Sequence, residues 1–68
     1  MKSHIEMLRE LHEAGYTDAQ VAVGIGDLSP GNSHPSATSV YRWRVARNRP
    51  SPVYLGFLEM YWKQEIGK

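Results

Sequence analysis

The stretch SVYRWRVARNRPSP, residues 39–52, sets four arginines within eight positions around a single tryptophan and carries no acidic residue. With Val40 taken as the inward direction, a helical advance of about 100° per residue brings Ala37 and Trp43 toward the same side. Thr38, Tyr41, Arg42 and Val45 then turn away. A tryptophan on the inner side anchors such a helix to a core, and an arginine stands among the polar positions outside. Ser36 is a good N-cap, so this third helix is predicted from there to about Arg47.

The charge is placed unevenly. Between Asp27 and Glu59 lie Arg42, Arg44, Arg47 and Arg49 and no carboxylate, while the rest of the chain holds four basic and seven acidic residues. The net charge of +1 conceals this contrast. A charge run is often only a solvated face. An acid-free arginine cluster inside an otherwise acidic chain points to a phosphate-bearing partner.

On the N-terminal side, Ile5, Leu8 and Leu11 recur at helical spacing, with Met7 and Ala14 near the stripe. They predict a first helix over about Ser3–Ala14, ended by Gly15. Thr17 and Gln20 form a capping-box signature for a second helix, and Asp18 in its first turn suits the helix dipole. Val21, Ala22 and Ile25 supply the buried side, and Gly26 is expected to close it. DLSPGNSHP, residues 27–35, has the composition of a loop. On the C-terminal side, Asn48 to Ser51 break the third helix, and Ser51-Pro52 starts a fourth that runs to about Glu65.

That fourth helix is apolar in three rows: Val53, Phe57 and Met60; Tyr54, Leu58 and Tyr61; Leu55, Trp62 and Ile66. One helix on a small core needs an apolar arc of roughly 100° or somewhat more. The surplus predicts self-association through Leu55, Leu58, Tyr61 and Trp62. The competing expectation is that a small domain simply wraps this helix well. Nothing alternates as a strand does, so the expected fold is all-α: four helices in a single domain spanning residues 1–68.

Several functions are disfavoured. The 68 residues include no cysteine, which removes disulfides and thiolate zinc sites. No apolar run approaches the ~20 residues needed to cross a bilayer, and MKSHIEMLRE lacks a signal-peptide core, so a soluble cytoplasmic protein is expected. Gly24-Ile25-Gly26 lacks the third glycine and the preceding strand of a dinucleotide loop. His4 and His12 are separated by roughly 12 Å of helix, too far to share one metal. No nucleophile has an identifiable base. The expectation is a non-enzyme with no metal and no cofactor.

A short helix, a connection, and a second helix with tryptophan inside and arginine outside describe a helix-turn-helix. Thr17, Asp18, Gln20, Val21, Ala22 and Gly26, followed by Val40, Trp43, Ala46, Arg49 and Pro50, resemble the Cro/C1-type repressor family of bacterial and phage regulators. Gly26 to Val40 is about eight residues longer than the family's tight turn, which implies an extended turn between helices 2 and 3. Ala46 stands where a glycine is common, so the third helix is expected to run slightly further before Asn48. RNRPSPVYLGFLEMYW is also similar to the end of anti-CRISPR-associated regulators that repress their own operons.

The resemblance implies residue roles. Ser36, Thr38, Ser39 and Arg42 would contact bases, with Arg42 matching guanine bidentately. Thr17, Asp18 and Gln20 at the second helix start, with Tyr41, Arg44, Arg47 and Arg49, would contact the DNA backbone. Ser29, Asn32, Ser33 and His34 of the loop would lie beside it. For Arg44 and Arg47 the alternative is to lie over the first helix or pair with Glu10 or Glu13. The function implied is a phage or mobile-element repressor, a homodimer on a near-palindromic duplex operator with half-sites about 34 Å apart. No membrane or small-molecule ligand is expected. The competing function is a protein-interaction module using the apolar face of the fourth helix. RNA binding is disfavoured, because no aromatic pair is arranged on a sheet for base stacking.

Overall fold

Four short polar side chains fix where the helices begin. Ser3, Thr17, Ser36 and Ser51 each accept a hydrogen bond from the backbone N–H three residues on, at 3.2, 3.1, 3.0 and 3.3 Å. They satisfy N–H groups that have no partner within the helix. In the computed structural model, which describes residues 2–67 and all their side chains but that of Asn32, these caps open α1 (His4–Glu13), α2 (Asp18–Leu28), α3 (Ala37–Arg44) and α4 (Pro52–Glu65). A single 3-10 turn, Pro30–Asn32, interrupts the connection between α2 and α3. The protein is all-α, and no strand occurs among the described residues.

Helix ends depart from expectation in two places. α2 does not stop at Gly26 but continues to Leu28. Gly26 is instead a point of close approach: a Cβ there would lie 2.7 Å from the Cα of His34, where the connection folds back over the helix. α3 ends at Arg44, three residues short of Arg47, because Ala46 takes the left-handed conformation at φ +65°. The Ala46 N–H then donates to Trp43 and the Arg47 N–H to Arg42, at 3.3 and 2.8 Å. That is a Schellman ending. α1 ends the same way, with Gly15 at φ +99° and N–H bonds from Gly15 to His12 and Tyr16 to Leu11, both 3.0 Å.

The core gathers Met7, Leu8 and Leu11 of α1, Val21, Ala22 and Ile25 of α2, Val40 and Trp43 of α3, and Leu58 and Tyr61 of α4. Ala14 and Ala37, expected near the inner side, are exposed, and Ile5 is half-buried. α4 also corrects the expected interface. Leu58 is fully buried and cannot meet a second molecule without opening the fold, and Tyr61 is only 8 % exposed, at the edge of a groove with Val23. Leu55 and Trp62 pack half-buried against the same cluster. The row of Tyr54, Leu58 and Tyr61 has aromatic neighbours at both ends. Tyr54 meets Trp43 at 5.8 Å between ring centroids, and Tyr61 meets the edge of Tyr16 at 6.1 Å. Gly24 lets the Tyr61 ring approach α2, since a Cβ there would fall 2.7 Å from ring carbon Cδ1.

Polar pairs close the remaining seams. The Trp62 Nε1–H donates to Glu10 at 2.9 Å, and Lys2 reaches the other oxygen of that carboxylate at 2.7 Å. The Tyr16 hydroxyl donates to Glu65 at 2.7 Å, tying the α1–α2 link to the end of α4. Glu10 is therefore occupied by Trp62 and Lys2, not by the arginines of the third helix. No helix among the described residues is long and apolar enough to cross a membrane.

Candidate nucleic-acid interface

α3 contributes only Val40 and Trp43 to the core, and its other side is open. Val40 is fully buried and Trp43 is 5 % exposed, so the indole is turned inward as the helical spacing predicts. Ala37, Thr38, Tyr41 and Arg42 are exposed, followed by Val45 at the helix end. Thr38 and Arg42 thus stand free on the outward side of the helix. Ser36 and Ser39 are placed differently. The Ser36 hydroxyl caps the helix and donates to the Ser39 hydroxyl at 2.9 Å, and Ser39 is half-buried. Both hydroxyls serve the helix start first.

The four arginines divide. Among the described residues Arg42, Arg47 and Arg49 form no ion pair, and all three are exposed. Arg44 leans toward α2 and grips Asp18 with two bonds, Nε to Oδ1 and Nη2 to Oδ2, both 3.2 Å. Their side chains retain 19 % and 24 % of full exposure. This corrects the expected DNA-backbone role of Arg44, whose charge is balanced within the fold. The pair occupies the Asp18 carboxylate and not the backbone N–H groups at the α2 start, on which the expected phosphate contact of Asp18 rests. The partner is neither Glu10 nor Glu13. Nothing short-range in the sequence announces this contact, because its members lie 26 residues apart. The Arg44 guanidinium also sits over the Tyr41 ring, 5.4 Å from its centroid, and Tyr41 remains 45 % exposed.

At the start of α2, Thr17 and Gln20 complete the predicted capping box, with the Thr17 N–H donating to the Gln20 side chain at 2.8 Å. Both remain exposed at the surface. The connection that replaces a tight turn is fastened rather than slack. Ser29, expected along the DNA, is buried; its hydroxyl donates to the Gly26 carbonyl at 2.8 Å and accepts from the Ser33 N–H at 3.1 Å. His34 lies 3.1 Å from Asp27 across the same link. The Asn32 side chain is outside the described residues. The α2–α3 unit is thereby held at both ends, by His34 over Gly26 and Asp27 and by Arg44 on Asp18.

Arg49 lines a groove of about 520 Å³ with Lys2, His4, Pro50, Leu55 and Glu59. The Nε2 of His4 is closed off from solvent and has no hydrogen-bond partner. Burial pushes the His4 pKa down, the Arg49 charge acts in the same direction, and the Trp43 backbone opposes them. His4 is thus a half-buried residue beside Arg49 whose surroundings favour the neutral imidazole. Among the described residues no group of three or more His, Asp or Glu side chains is placed to hold a metal.

Together these elements leave one face of α3 open with Arg42 on it, and Arg47 and Arg49 exposed and without an ion pair in the segment that follows, among the described residues. No family model matches the chain, and no curated protein or solved structure matches it either.

Proposed function

We propose that the chain is a sequence-specific duplex-DNA-binding transcriptional regulator that acts by occupying an operator. The supporting observation is the open side of α3: Thr38, Tyr41 and Arg42 face outward, and Arg42, Arg47 and Arg49 have no carboxylate partner among the described residues. A helix of eight residues with one face free fits a major groove about 12 Å wide. In this reading Arg42 contacts a guanine, Thr38 an adjacent base, and Arg47 and Arg49 the phosphates. Thr17 and Gln20 lie at the α2 start, where backbone N–H groups favour a phosphate. The reading carries a cytoplasmic location and a homodimer on a near-palindromic site, in the manner of phage-type repressors.

Selection of duplexes from a random-sequence pool, repeated at stepped salt, tests it. The enriched site should bind with an affinity that falls steeply as salt rises, because condensed counterions are released. Arg42→Ala should relax discrimination at one or two base positions by about 1–3 kcal/mol while leaving the fold intact. Failure to enrich any sequence rejects the regulator reading.

One observation favours a protein-interaction module instead. On α4, Val53 is 65 % and Met60 51 % exposed after the core is filled. The same two residues, rather than Leu58 and Tyr61, are what α4 has left to offer a second copy.

A further inference from the structure

The outward side of α3 is cationic, and it is also apolar. Tyr41 is 45 % and Val45 39 % exposed, two of only five large hydrophobic residues so exposed among the described residues. The Ala37 and Thr38 methyl groups are exposed on the same helix. Arg42 stands among them, and Arg47 and Arg49 follow. A partner for this surface must carry negative charge and present apolar groups at helix spacing. In a DNA major groove the thymine C5-methyl is the apolar group on a base-pair edge, and phosphates line both sides.

Tyr41 is the fixed member of this set. Its ring carries the Arg44 guanidinium 5.4 Å from the centroid, and Arg44 is itself held by two bonds to Asp18. A tyrosine restrained in this way loses little rotamer freedom when a ligand covers it, so more of the contact appears as affinity. We infer that α3 reads thymine by its methyl group, with Tyr41 as the main contact and Thr38 and Val45 beside it. This rests on the duplex-DNA reading and specifies its substrate: sites in which thymines flank the guanine assigned to Arg42. Asp18 and Arg44 are positioning residues that act through the Tyr41 ring.

The test uses the full chain and a duplex enriched from the random pool. The same duplex is then made with deoxyuridine in place of every thymidine, which keeps pairing and charge and removes only the methyl groups. Wild-type protein should bind the methyl-free duplex more weakly by about fourfold for each methyl covered. Tyr41→Ala should bring the thymine-to-uracil ratio toward one with the salt slope unchanged, and Tyr41→Phe should keep the ratio. Tyr41 lies outside the core, so Tyr41→Ala removes only the ring beneath Arg44 and Tyr41→Phe keeps that ring. Equal wild-type binding to the two duplexes overturns methyl reading while leaving DNA binding in place. A ratio unchanged in Tyr41→Ala removes Tyr41 from the role. No enrichment of any duplex overturns this inference together with the reading beneath it.

Discussion

α3 keeps the part its sequence suggests, and α4 does not. α4 is the more apolar helix, and its breadth reads as a surface waiting for a second molecule. In the fold, Leu58 and Tyr61 are buried and Tyr54, Leu55, Phe57 and Trp62 pack around them. α3 is shorter and more polar, buries two residues, and leaves one whole side in solvent. The width of an apolar arc thus measures how much of a helix its domain covers, not how many neighbours it has: α3 also lies against α1 and α2, but buries only Val40 and Trp43. α4 lies against both α1 and α2 and reaches Trp43 of α3 through Tyr54. A narrow arc, as on α3, marks the element whose other side is free.

Leu58→Ala should have the largest effect on this contrast. Leu58 is fully buried, and truncation in such a site costs about 3 kcal/mol, a large share of the stability of a small domain. Urea denaturation at two protein concentrations checks it. The midpoint should fall by the same amount at both, since a core residue acts within one chain. A loss that varies with concentration would return Leu58 to an interface and erase the difference between the helices.

Asp18→Asn comes next. It keeps the shape of the side chain and removes the charge that Arg44 meets at 3.2 Å. A charge-assisted pair that is mostly shielded from water contributes about 1.5 kcal/mol, which lowers the thermal midpoint by roughly 8 °C in a domain this small. Thermal unfolding followed by far-ultraviolet circular dichroism measures it. An unchanged midpoint would mean that the pair adds nothing to the core packing and the connection that join α2 to α3.

What the sequence makes legible divides along the same physical line. The caps at Ser3, Thr17, Ser36 and Ser51 are local chemistry, and each appears where a short polar side chain precedes an apolar repeat. The inward turn of Val40 and Trp43 follows from helical spacing alone, and so does the exposure of Thr38, Tyr41 and Arg42. Three features escape because they depend on segments distant in sequence. Gly26 reads as a helix end, yet it is a place where His34 presses on α2. Arg44 reads as a phosphate contact or a partner of Glu10 or Glu13, yet it finds Asp18 on α2, 26 residues away. Leu58 reads as surplus until α4 is given its neighbours.

The end of α3 supplies the finest comparison, because α1 ends in the same hydrogen-bond pattern with a different residue. Gly15 at φ +99° has no Cβ to clash, whereas Ala46 holds φ +65° with one. A left-handed L-residue costs about 1–2 kcal/mol, and glycine returns part of that in unfolded-state entropy, leaving a difference of about 0.5–1 kcal/mol. Ala46→Gly should therefore raise stability by that amount, and Gly15→Ala should lower it by a similar one, both read from urea midpoints. Ala46 is exposed, and the bonds from Ala46 to Trp43 and Arg47 to Arg42 need only the backbone. The substitution should leave α3 ending at Arg44, with Arg47 and Arg49 beyond the turn as before. If Ala46→Gly instead weakens duplex binding while strengthening the fold, the left-handed alanine is limiting the freedom of those two arginines. Its strain then belongs to the open side of α3, because the matching turn at α1 carries no such charge and needs no such restraint.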